Sequence, residues 1–299
     1  MDELDLGSLD YSSRAVDESV LAAATSEEPF AHEAFECLKE LAQSVAVSAS
    51  IVPLDDNGQP RALTRDEAIV SGLMVRCMKL QFGLLSATTE QKMELLNLSI
   101  RSVVETAVNL RYLLEFGTPK MFERFVRYSL RTDKKLYEQI HADIAARGHE
   151  MPFERRILDG VERAFQAAGV KLEEVDATAR WNWSESGIWG RFDQLGMRDL
   201  YVPLFGTQSH YLHGNWHDLW AYHLSSTTDG FVVDTTFGAI RPQPLILGTL
   251  VLGDASIRYL QKVVPHSPDR DVLEDRLAFC IEKVRIIGDA YEAFRARRS

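Results

Sequence analysis

The sequence predicts an all-α fold, a single bundle of about seven or eight helices, and three observations carry that reading. Apolar residues recur at three- and four-residue intervals over most of the chain. The periodic stretches are long and are separated by Gly and Pro signals. Only one short patch, Phe231, Val233 and Thr235, alternates with period two, which allows one small hairpin near 230–240 and no larger sheet.

Taken in order, residues 1–28 carry eight acidic side chains against Arg14 alone and few large apolar residues, so a mobile acidic arm is expected there. A single helical domain is expected over 29–299. Its first helix opens at Pro29 and runs to about Ser50, with Phe30, Ala34, Cys37, Leu38, Leu41 and Val45 in register. Two prolines and the Asn57-Gly58 pair make 53–64 a turn region. Thr64 followed three residues later by Glu67 has the capping-box spacing, which opens a second helix to about Ala87. The third helix, Thr89 to Phe116, sets an apolar stripe of Leu95, Leu98, Val103, Ala107, Leu110 and Leu114 against a polar one. Arg101, Glu105, Asn109 and Tyr112 fall within about 80° of one another on that polar side. Gly117 ends this helix, and Thr118-Pro119 starts the next, which reaches Arg147 before Gly148. A fifth helix spans about Phe153 to Ala168.

Residues 170–200 concentrate Trp181, Trp183 and Trp189 with glycines and hydroxyls, and read as loops and short helices packed by their own aromatics. A helix over 203–224 follows. Two last helices cover about Pro244 to Val264 and Asp269 to Arg297.

The 203–224 stretch includes TQSHYLHGNWHDLWAYH, which holds four of the eight histidines and two of the five tryptophans. On one continuous helix His210, His213 and His217 lie within about 60° of one another, with Ser209 and Trp220 beside them. Buried imidazoles need polar partners, and the polar stripe of the third helix would supply them if the two helices pack antiparallel. Arg101, Glu105 and His213 would then form one hydrogen-bonded cluster with Ser209, Asn109 and Tyr112 at its margin. Such a cluster is read first as a network that fixes helix register.

Three chemistries compete with that reading. Metal-independent RNA cleavage would use His213 as base and Arg101 as charge stabiliser with Glu105, although the Arg-x4–6-His spacing of helical ribonucleases is missing. A metal site would use His210, His213 and His217 with Glu105, although no His-Glu-x-x-His motif is present and i to i+7 spans about 10 Å of axial rise. A binding module for a small aromatic or cationic ligand would use the tryptophans, Trp216 and Trp220 among them.

Two segments, SIRSVVETAVNLRYLLEFG with FERFVRYSL and then YVPLFGTQSHYLHGNW, resemble a family of helical bacterial proteins of unknown function, number 5677. In that family an Arg-x-x-x-Glu helix precedes an aromatic helix and a Ser-x-x-x-His-Gly motif. The matching positions are Arg101, Glu105, Asn109, Tyr112, Ser209, His213 and Gly214, within roughly residues 90–224. The resemblance implies an all-helical fold and no activity.

The remaining expectations come from composition. A balance of 45% hydrophobic and 26% charged residues is that of an ordinary globular chain. Three dispersed cysteines suit reduced core thiols in a cytoplasm. The acidic start is neither a signal nor a transit peptide, and no apolar run approaches the roughly 20 residues of a membrane span. A net charge of −11 argues against a broad nucleic-acid surface. No cofactor fingerprint is found, partners are unspecified, and a homo-oligomer is left open.

Overall fold

The computed structural model describes residues 14–206 and 212–298 of the chain. They form a predominantly α-helical bundle with one two-stranded hairpin. The helices are α1 (Glu18–Ala22), α2 (Glu28–Ser50), α3 (Arg65–Thr89), α4 (Met93–Phe116), α5 (Pro119–Arg147), α6 (Pro152–Ala168), α7 (Gly187–Gln194) and α8 (Trp216–Tyr222). The hairpin strands β1 (Leu224–Thr227) and β2 (Gly230–Val233) follow, and then α9 (Pro242–Val263) and α10 (Pro268–Ala296).

The main core joins α2, α3, α4, α9 and α10, with Phe30, Leu38, Met74, Leu84, Ile100, Leu252 and Ile287 fully buried. Two glycines let α9 lie close to its neighbours. A Cβ at Gly253 would stand 2.8 Å from Ile281 Cγ1, and one at Gly248 would stand 3.2 Å from both Ile100 and Leu84. A satellite core of Val126, Leu130, Val161 and Phe165 holds α5 against α6, and the left-handed Gly148 turns the chain between them.

The capping box at Thr64 is present. Its hydroxyl accepts from the Glu67 N–H at 3.4 Å, and the Glu67 carboxylate accepts from the Thr64 N–H at 2.8 Å. Arg61 forks onto the same carboxylate at 2.6 and 2.9 Å, and Glu67 is held down at about 2, first by that arginine and then by Thr64. Gly117 does end α4, and Thr118 caps α5 with Pro119 in its first turn.

The structure departs from the sequence expectations at several points. The acidic arm is not structureless to residue 28, because Asp17 caps α1 and α1 buries Leu21 completely against the bundle. On α4 the inward residues include Leu96, Ile100, Val104 and Val108, whereas Leu95 and Leu98 are exposed and line shallow pockets below α8 and the hairpin. By length and composition, α3 is a helix apolar enough to cross a membrane. Its Val70, Met74, Cys77 and Leu84 instead form one face of the core beside α2 and α4. The hairpin begins before 230, with Leu224 paired to Val233 and Thr227 to Gly230.

The largest departure concerns 203–224, which is not one helix. Residues Val202–Gly206 form a π-type turn, Leu212 and His213 are helical, and Gly214 then turns the chain at a φ of 54°. Asn215 starts a fresh helix, its side-chain oxygen accepting from the Asp218 N–H at 3.2 Å. His213 and His217 are therefore on different segments, and the one-face geometry expected of them is lost.

Candidate functional site

The polar stripe of α4 is met by 183–206. Arg101 donates to the Phe205 carbonyl at 3.3 Å, and its guanidinium lies 4.0 Å above the Phe205 ring. Tyr112 donates its hydroxyl to Gln194 at 2.8 Å and packs edge-on against Trp183, with centroids 5.6 Å apart. The adjacent Arg111 pairs with Asp254 of α9 at 2.6 Å. Arg191 of α7 is 3% exposed and lies 4.6 Å over the Trp183 ring. Burial pushes its guanidinium below the ordinary arginine range, and the nearby Glu105 charge opposes that shift. The Arg191 Nε and Nη1 and the Asn109 Oδ1 are buried and have no hydrogen-bond partner among the described residues.

The tryptophan-rich segment is held from the opposite side by α5. Four cationic side chains at three- and four-residue spacing reach its carbonyl groups. Arg124 donates to Asn182 O at 2.9 Å, Arg127 to Glu174 O at 2.7 Å, Arg131 to Ala179 O and to Trp181 O at 3.1 Å, and Lys134 to Val175 O at 2.8 Å. Trp183 packs edge-on against Phe125, centroids 5.1 Å apart, while Arg131 lies over both Tyr128 and Trp181. Trp181 and Trp183 are thus seated on α4 and α5, while Phe192 packs against Tyr201 and Phe205 within the segment itself. The α5 spacing was a readable signal that sequence reasoning passed over, as was Arg191.

Of the residues expected to form one cluster, Arg101, Glu105, Asn109 and Tyr112 do share a face, but His213 does not join them. It is exposed and makes no hydrogen bond to Glu105, because 187–206 occupies the space alongside α4. Among the described residues His223 does meet a carboxylate, with Nε2 3.5 Å from the buried Asp218, as does His266 just before α10, with Nδ1 3.5 Å from Asp271. His217 stands beside Trp220, centroids 6.3 Å apart, and Trp216 beside Phe231, centroids 5.4 Å apart. Ser209 and His210 lie outside the described residues. Among the described residues no three His, Cys, Asp or Glu side chains converge as metal ligands.

A cleft of about 810 Å³ opens elsewhere, between the start of α2, the end of α3 and the chain on either side of the hairpin. Its walls carry the carboxylates of Glu27, Glu28 and Asp234, the hydroxyls of Thr88 and Thr236, the rings of Phe35 and Tyr222, and His32 and Arg241. Asp234 is held below the usual carboxylate range, first by the Thr236 hydroxyl, then by the Thr236 N–H and the Ser225 hydroxyl. Glu27 accepts from the Tyr291 hydroxyl at 2.8 Å and pairs with Arg295 at 3.0 Å. Arg241 lies 5.5 Å over the Tyr222 ring. No local sequence pattern announces this cleft, since the start of α2, the end of α3 and the chain around the hairpin, three distant parts of the sequence, build it.

No curated protein and no solved structure matches this chain. A family model does match, across residues 67–231, from the first turn of α3 through α4, the α5–α6 pair, the latched tryptophan segment and the start of β2. The chain belongs to the family of unknown function DUF5677.

Proposed function

We propose that this protein binds a small amine-bearing ligand in the cleft between α2, α3 and the hairpin. The observation that carries the reading is the cleft itself: about 810 Å³ lies in the range of pockets for small ligands, and carboxylates outnumber cations on its walls. Asp234, kept anionic by its hydrogen bonds, and the exposed Glu28 favour a cation, and the rings of Tyr222 and Phe35 offer it apolar contact. Under this reading the polar face of α4 is architectural. Arg101 and Tyr112 seat the 183–206 segment, and Arg111 has its partner in Asp254 of α9.

Thermal unfolding in the presence of spermidine, agmatine or AMP tests the proposal. The amines are expected to raise the melting temperature in a dose-dependent way, AMP is not, and Glu28→Gln is expected to weaken the amine effect. A panel of amines that leaves the wild-type melting temperature unmoved would remove the reading.

A further inference from the structure

The surface formed by α8 and the hairpin is at odds with an isolated chain. Trp216 is 60% exposed, Phe231 52%, Val233 81% and Phe237 75%, with Trp220 and Val232 each near half. Together these side chains and their neighbours Leu212 and Leu219 present on the order of 800 Å² of apolar surface, about what one partner contributes to a standard stable interface. The hairpin itself has four residues in each strand, and most of them are exposed on both faces. A two-stranded hairpin of that size is marginal alone, and the outer edge of β2 is unpaired among the described residues.

We propose that this face is a self-association surface on which two copies of the chain pair their β2 strands antiparallel about a two-fold axis at Val232, giving a four-stranded sheet. A two-fold normal to the sheet pairs a strand with its own copy in antiparallel sense, so the contact closes on itself. Strand β2, with Phe231, Val232 and Val233, has the β-branched and aromatic residues that favour pairing, whereas β1 offers Ser225, Ser226 and Thr227. With Val232 opposite its counterpart, Phe231 of each copy faces Val233 of the other, an aromatic with β-branched pair. The same register sets Asp229 against Thr235 and Asp234 against Gly230, so no like charges stand opposed. The flanking Asp229 and Asp234 and the net charge of −11 favour a second copy over an anionic bilayer. The inference does not depend on what occupies the cleft, although Leu224, Asp234 and Thr236 in the cleft wall belong to the same hairpin region.

Sedimentation velocity on the full chain at about 1 to 100 μM is expected to give a species of twice the 33.8 kDa chain mass. Val232→Lys is expected to weaken association at least tenfold while leaving the helical circular-dichroism signal intact. A second measurement covers misfolding of that variant. The native cysteines are buried, with thiols pushed up to about 12 by desolvation, so an added surface cysteine is the one that reacts. Val232→Cys is expected to form a cross-chain disulfide under mild oxidation. Ser226→Cys on the outer strand, three strand spacings or about 14 Å from its copy, is not. A wild-type chain that stays monomeric at about 100 μM overturns the proposal, whether or not it then binds neutral or anionic lipid vesicles. So does a dimer that Val232→Lys leaves unchanged and Val232→Cys fails to cross-link.

Discussion

The Tyr112 hydroxyl donates to the Gln194 side-chain oxygen at 2.8 Å, which ties the C-terminal turns of α4 to the end of α7. Because the Tyr112 ring is buried and Gln194 is exposed, the hydrogen bond and the ring make separable contributions. Tyr112→Phe removes only the bond, and water can satisfy the amide left behind. A loss of about 1 kcal/mol in urea unfolding is expected. Tyr112→Ala also withdraws the ring from Trp183 and Phe116, and about 3–5 kcal/mol is expected. Equal losses from the two variants would mean that the ring contributes little there.

Arg131 joins two carbonyl groups and the Trp181 ring of the tryptophan segment to Tyr128 of its own helix. Arg131→Ala leaves the Ala179 and Trp181 carbonyl groups without that donor and removes the cation above Trp181. Unfolding is expected to become easier by about 1.5–3 kcal/mol, the range for a hydrogen bond to a charged group. Tryptophan emission should shift to the red as Trp181 gains water. Unchanged emission together with unchanged stability would show that the α5 latch does not hold this segment.

What could be read in advance divides along a physical line. Long amphipathic stretches declare themselves, because burial of one face imposes a 3.6-residue period on the sequence itself. The Thr64–Glu67 box and the Gly117, Thr118, Pro119 boundary are local hydrogen-bond chemistry and were legible for the same reason. The 203–224 stretch was misread because its residues suit a helical period while Gly214, one position before a competent Asn215 cap, provides a break at little cost. Placing His213 against Glu105 required knowing which segment covers α4, and that is decided by long-range packing of Phe192, Leu204 and Phe205 in the core. The cleft was invisible for a related reason: it exists only where distant segments meet.

Two glycines in exposed and buried helical settings should respond oppositely to the same substitution. Gly72 lies on the outer side of α3 with nothing within 4 Å of an added Cβ, so Gly72→Ala is expected to stabilise by about 0.5–1 kcal/mol through helix propensity. Gly253 in α9 gains the same propensity, but its Cβ would meet Ile281 Cγ1 at 2.8 Å and Ile281 Cδ1 at 3.0 Å. Overpacking of a core crossing costs about 1–3 kcal/mol, which exceeds the gain, so Gly253→Ala is expected to destabilise. Chemical denaturation of both variants checks the pair, and stabilisation by Gly253→Ala would show that α9 and α10 can separate freely.

The start of α3 should respond to acid through Glu67. Its carboxyl is held at about 2 in the folded protein, down from an ordinary 4.5, by Arg61 first and then by the Thr64 N–H and hydroxyl. A depressed folded value means that the carboxylate supports the cap fully above about 4.5 and loses that support as the pH falls toward 2. Protonation weakens the Arg61 fork and the acceptor side of the capping box, so the first turn of α3 opens before the core does. Amide exchange at Ala68, whose N–H donates to Thr64 O at 2.8 Å, is expected to accelerate relative to core amides across that window. In Glu67→Gln the cap is already weakened at neutral pH, and this local acid step should be absent. An Ala68 amide whose relative protection holds steady from pH 5 to pH 2 in the wild type would show that the box does not depend on the Glu67 charge.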